Sequence, residues 1–167
     1  MALDILIGLQ KKDIPYEGQI IRVADEYDAI VSKRQYKSHI GISDTLKILI
    51  ENVQNGKCNK IVVKALLKVV IDDVNYEIFL TQTYVDDLKQ ELKRLEEINK
   101  YKLKMDKSAK EKDKNYYLEG MKYLFKNDET IESYLTRYKE YQTAYDTRKK
   151  IIDNLYNEIK TIKKLKV

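Results

Sequence analysis

The 167-residue sequence predicts an all-α fold, and three observations carry that prediction. One proline and five glycines are too few chain breakers for the many turns of a β-sandwich or barrel. Charged residues make up 35% and hydrophobic residues 43%, with no tryptophan, a balance that suits long helices with one solvated face. Apolar residues also recur every three or four positions through several long segments, which is the helical period. A chain of this length is expected to form one domain, or one small domain with an extension.

The elements follow in order. The opening MALDILIGLQKKD is apolar over too few residues to cross a bilayer, and it lacks a basic start and a small-residue cleavage site. No membrane association and a cytoplasmic location are therefore expected. Ile20, Val23, Ala24, Tyr27, Ile30 and Val31 form one apolar face, with Pro15 in the first turn and Asp13 as a cap, so a helix is expected over 15–32. GISDTLKILIENVQNG predicts a second helix over 43–54, with Ser43 as N-cap, Leu46, Ile50 and Val53 as its stripe, and Asn-Gly as its stop. KIVVKALLKVVIDDV reads as a third, buried helix, while NYEIFLTQTYV fits either helix or an extended connection.

The second half changes character. Val85, Leu88, Leu92 and Leu95 begin a heptad-like seam that is interrupted at the lysine-rich KLKMDKSAKEKDKN. A shorter element, YYLEGMKYLF, follows. Positions 131, 134, 138, 141, 145, 148, 152, 155, 159 and 162 then form a second seam, which only Arg148 breaks. Each seam must be covered, so an antiparallel helical hairpin or a three-helix arrangement is expected. The tyrosines between 134 and 145 read as hairpin core rather than as a platform for stacked bases. The expected division is a helical domain over 1–80 and a helical extension over 81–167.

Charge follows the same division. Residues 1–80 carry 11 basic and 11 acidic side chains, and residues 81–167 carry 21 and 16, which accounts for the net +5. Such a dilute excess is a weak footprint for nucleic acid. Cys58 is the only cysteine, so no intramolecular disulfide can form, and it reads as inert.

IPYEGQIIRVADEYDAIVSKRQYK, residues 14–37, resembles the segment IPLxARIxxVADxYDALTSDRPYR of the HD-GYP phosphohydrolases. The likeness runs over about residues 8–70, although the family's GTxFDP stands here as NGKCNK. The resemblance implies a helical domain whose members hold two or three divalent metal ions, iron or manganese, and hydrolyse cyclic di-GMP. It places Asp25 at a metal-ligand aspartate, Arg34 and Lys37 at the phosphate-binding basic pair, and Asp28 in structural support. Those residue types suit the chemistry: a carboxylate for a hard cation, cationic donors for a phosphodiester.

The family's remaining ligands, histidines and a His-Asp pair upstream together with the GYP loop, have no counterpart before Asp25. The only histidine, His39, comes after it. The resemblance thus implies a truncated or degenerate phosphohydrolase, inactive and without a cofactor on its own. The competing expectation is a non-enzymatic helical module that forms a homo-oligomer or docks a helical partner. A split enzyme completed by another chain is a third arrangement.

Overall fold

In a computed structural model the protein is described over residues 14–37 and 41–167, with the side chains of residues 32–40 outside that description. Five helices account for it: α1 (Tyr16–Lys37), α2 (Ile42–Gln54), α3 (Lys60–Lys107), α4 (Glu111–Leu124) and α5 (Ser133–Ile162). There is no strand among the described residues, so the fold is all-α. None of these helices is long and apolar enough to cross a membrane.

The start of α1 is close to the expected one. The Pro15 carbonyl accepts the Gln19 N–H at 3.1 Å, so proline stands just before the first turn, where its missing N–H costs nothing. Asp13 lies outside the described residues. The inward arc differs from the expected stripe. Val23 is buried, Gln19, Glu26, Tyr27 and Ile30 are half-buried, and Ile20 and Ala24 are exposed. Polar partners on the α2–α3 turn draw Gln19 and Glu26 inward, and this turns the helix away from its most apolar orientation.

Ser43 is not the N-cap of α2. Gly41 holds that position, and the Ser43 N–H donates to Glu158 Oε2 at 2.9 Å. A carboxylate delivered from α5 therefore satisfies an orphan donor of the first turn and complements the positive helix end. Glycine permits the approach, because a Cβ at position 41 would come within 2.5 Å of Glu158 Oε1. Asn-Gly does end the helix. Gly56 adopts φ +71°, the Lys57 N–H donates to the Asn52 carbonyl at 2.7 Å, and the Gly56 N–H donates to that of Val53 at 3.0 Å. This is a Schellman closure, which needs a left-handed residue at its corner.

α3 unites three segments that the sequence pattern separates. The stretch NYEIFLTQTYV is helical, and the seam beginning at Val85 continues the one that begins at Val63. Neither glycine nor proline occurs between Gly56 and Gly120, so nothing local stops the helix once Asn59 has started it. Asn59 Oδ1 accepts the N–H groups of Ile61 at 2.8 Å and Val62 at 3.4 Å. The lysine-rich interruption shrinks to residues 108–110, and α4 begins five residues before the expected YYLEGMKYLF.

The chain forms two compact units, Met1–Glu77 with Asn154–Val167, and Ile78–Asp153. In the first, Leu46 and Leu49 of α2, Val63 of α3 and Ile162 of α5 are almost wholly buried. In the second, Leu95, Ile98, Met121 and Tyr134 make the core, with Tyr101, Leu124 and Tyr138 packed around them. Two pairings set the direction of the helices there. The Tyr134 hydroxyl donates to Asn99 Oδ1 at 3.1 Å, while Arg148 lies 4.3 Å above the ring of Tyr84, so α5 runs antiparallel to this part of α3. α4 is antiparallel to it as well, with Tyr117 near Tyr101 and the Leu124 carbonyl accepting from Arg94 at 3.0 Å.

The turn between α4 and α5 is locked by a buried carboxylate. Glu129, 6% exposed, accepts from Arg94 at 2.6 and 2.7 Å, from Arg137 at 3.0 Å and from the Lys126 backbone N–H at 3.0 Å. Glu91 holds the other side of Arg94 at 3.0 Å and also pairs with Lys126. Asn127 turns the chain at φ 45°, a conformation asparagine tolerates better than most residues. Thr130 and Ser133 then exchange hydrogen bonds, each hydroxyl accepting the other's N–H, at 3.1 and 2.8 Å, a reciprocal cap for α5.

The Arg94 guanidinium, with the Lys126 amide and Arg137, holds the Glu129 carboxyl down at about 2, against an ordinary value of 4.5. A depressed carboxylate contributes stability above its unfolded pKa and loses it as the pH falls toward the folded value. Wild-type stability is expected to drop between pH 4.5 and 2. Glu129→Gln should flatten that drop and cost about 3 kcal/mol at neutral pH, because the half-buried Arg94 keeps its charge with one ionic partner fewer. Urea unfolding followed across pH checks both expectations.

Candidate functional site

α1 carries the residues that the sequence marks for chemistry. Asp25 and Asp28 stand one turn apart and both are exposed. Arg34 and Lys37 belong to the last turns of α1, but their side chains lie outside the described residues, as does His39. Among the described residues no group of three His, Cys, Asp or Glu side chains could hold a metal ion. Asp25 thus has no second and third described ligand beside it, and a two-metal centre does not fit the residues described.

The acid on α1 that makes internal contacts is Glu26. Its Oε1 accepts from Asn52 Nδ2 and its Oε2 from the Cys58 thiol at 3.2 Å, which ties α1 to both ends of the α2–α3 turn. Cys58 is 1% exposed, and its proton is engaged on a carboxylate. Burial keeps reagents from the sulfur, and the Glu26 contact holds it in place. Two turns earlier on α1, Gln19 Oε1 accepts from Asn59 Nδ2 at 2.6 Å, and Gln19 Nε2 donates to the Ile14 carbonyl at 2.8 Å. Ile14, Gln19, Arg22, Gly56, Lys57, Cys58 and Asn59 line a cavity of about 260 Å³ beside this network.

The sequence pattern did not reveal this cluster, although one signal was present. Gln19 and Glu26 fall on the same helical arc as Val23 and Ile30, and a polar residue within an inward arc calls for a partner. A second hollow of about 270 Å³ is lined by Leu80, Thr81, Tyr84 and Arg148. It explains the one break in the α5 seam, since the Arg148 guanidinium covers an aromatic face and its charged end stays near water.

A segment of 61 residues, 36% of this chain, is 38% identical to a cyclic di-GMP phosphodiesterase of Thermotoga maritima. Part of this chain is similar to a protein of that name. The matching stretch spans 16% of that protein's length. No protein-family profile matches the chain, and no solved structure is similar to it.

The geometry separates the acids of α1 by role. Glu26→Ala is expected to destabilise the protein by about 1–3 kcal/mol, since it leaves two part-buried donors without their acceptor. It should also speed the reaction of Cys58 with a thiol reagent. Asp25→Ala and Asp28→Ala, on the exposed side, should stay within about 0.5 kcal/mol of wild type. Urea unfolding with thiol-reaction rates measures all three; equal effects at Asp25 and Glu26 would contradict the assignment.

Proposed function

We propose that the chain is a non-hydrolysing relative of the HD-GYP phosphohydrolases, a helical module that retains part of the family's substrate-facing helix without its metal centre. The partial similarity to a cyclic di-GMP phosphodiesterase supports the relationship. The single observation that carries the loss of hydrolysis is the ligand count. One histidine occurs among these 167 residues, and Asp25, the residue the resemblance marks as a ligand, stands in solvent with no described group of three ligands around it. Without a metal-bound hydroxide, a phosphodiester in water has no activated nucleophile to meet.

Purified chain, supplied with iron(II) or manganese(II), is expected to bind no stoichiometric metal and to leave cyclic di-GMP intact, with Asp25→Ala behaving the same. Turnover that disappears in Asp25→Ala would overturn the proposal.

The exposed apolar side chains of α1 favour a second reading, a helical interaction module. Tyr16 is 51% exposed, Ile20 44% and Ile21 59%, three large apolar residues within two turns of one helix. On a monomer they leave a patch in water that association would cover. Sedimentation at several concentrations is expected to show self-association that weakens in an Ile20→Ser/Ile21→Ser variant; a concentration-independent monomer removes this reading.

A further inference from the structure

The cavity beside the α2–α3 turn has a hydrogen-bonding character that follows from a single constraint. Asn59 caps α3, so its Oδ1 must face the N–H groups of Ile61 and Val62. Its Nδ2 is thereby turned toward α1, where it donates to Gln19 Oε1. That in turn leaves Gln19 Nε2 to donate to the Ile14 carbonyl. The cap thus fixes the orientation of both amides; Asn59 Oδ1 accepts twice and Gln19 Oε1 once. Each amide nitrogen has a second N–H left over.

The remaining polar side chains of the lining are cationic. Arg22 and Lys57 are exposed at its edge, and neither is drawn into an ion pair with a described carboxylate. No Asp or Glu lines the cavity. Gly56 contributes an open corner, since a Cβ there would meet nothing within 4 Å. The lining therefore combines amide donors, a guanidinium and an ammonium, which outnumber the acceptor site left on Gln19 Oε1. Burial of a neutral apolar ligand would leave those donors unanswered, and a cation would be repelled. An anion with several acceptor oxygens answers all of them, and a guanidinium matches the spacing of a phosphate edge.

We propose that the cavity between α1 and the α2–α3 turn is a binding site for a small phosphate-bearing anion, held by Arg22 and Lys57 over the amides of Gln19 and Asn59. The site is distinct from the aspartates on α1 and depends on no metal.

Backbone-amide NMR of the full chain, titrated with inorganic phosphate against chloride at matched ionic strength, tests it. Phosphate is expected to produce saturable shifts at Gly56–Asn59 and around Arg22, and chloride is not. Arg22→Gln/Lys57→Gln should weaken phosphate binding roughly 10- to 100-fold, as the loss of charge-assisted hydrogen bonds predicts. Both side chains are exposed, so the fold should be retained, and Lys57→Gln alone should give a smaller change in the same direction. Absence of saturable shifts at these residues, an equal response to chloride, or an undiminished response in the double variant would each overturn the proposal.

Discussion

A helix with apolar side chains at every third or fourth position over 48 residues cannot stand alone in water, and α3 is such a helix. From Val63 to Ile98 its buried residues follow one seam without a break in the backbone. The other elements answer that demand. In one unit α2 and the end of α5 contribute buried leucines and isoleucines; in the other, α4 and the first part of α5 bring Met121 and Tyr134. Hydrophobic burial supplies the drive, at about 25 cal/mol per Å² of apolar surface, but it does not choose where the chain turns.

The turns are chosen by polar groups. At the α4–α5 corner a buried carboxylate collects Arg94, Arg137 and a backbone N–H, so the corner is held by an arrangement that tolerates no missing partner. At the α2–α3 corner the Schellman closure and the Asn59 cap leave Asn52, Cys58 and Asn59 facing α1, where Glu26 and Gln19 meet them. The first turn of α2 takes its cap from Glu158, more than a hundred positions away in sequence. In each case a carboxylate or amide satisfies donors that a helix end or a turn would otherwise leave open.

These corners also bear on function. The residues marked by resemblance to the phosphohydrolases, Asp25 and Asp28, project from α1 into water, whereas the organised chemistry on the same helix lies on its other side. Glu26 and Gln19 are engaged in structure, and Arg22 is left at the rim of a cavity lined by the Gln19 and Asn59 amides. Which face of a helix is open for chemistry thus depends on what packs against the opposite one.

Composition and period alone determined that the protein is helical, that Asn-Gly ends α2, and that the tyrosines near 134–141 belong to a core, since these depend on local propensity and on the spacing of apolar side chains. Local signals could not determine where α3 would stop, because a break needs a glycine, a proline or a competing cap, and the lysine-rich segment supplies none before Ser108. Only the tertiary structure decided that Glu158 rather than Ser43 serves the start of α2, that Glu129 locks a corner, and that Glu26 rather than Ile20 faces inward. Each of these rests on a partner distant in sequence, and the energy of a buried polar group is set by that partner and not by its own neighbours along the chain.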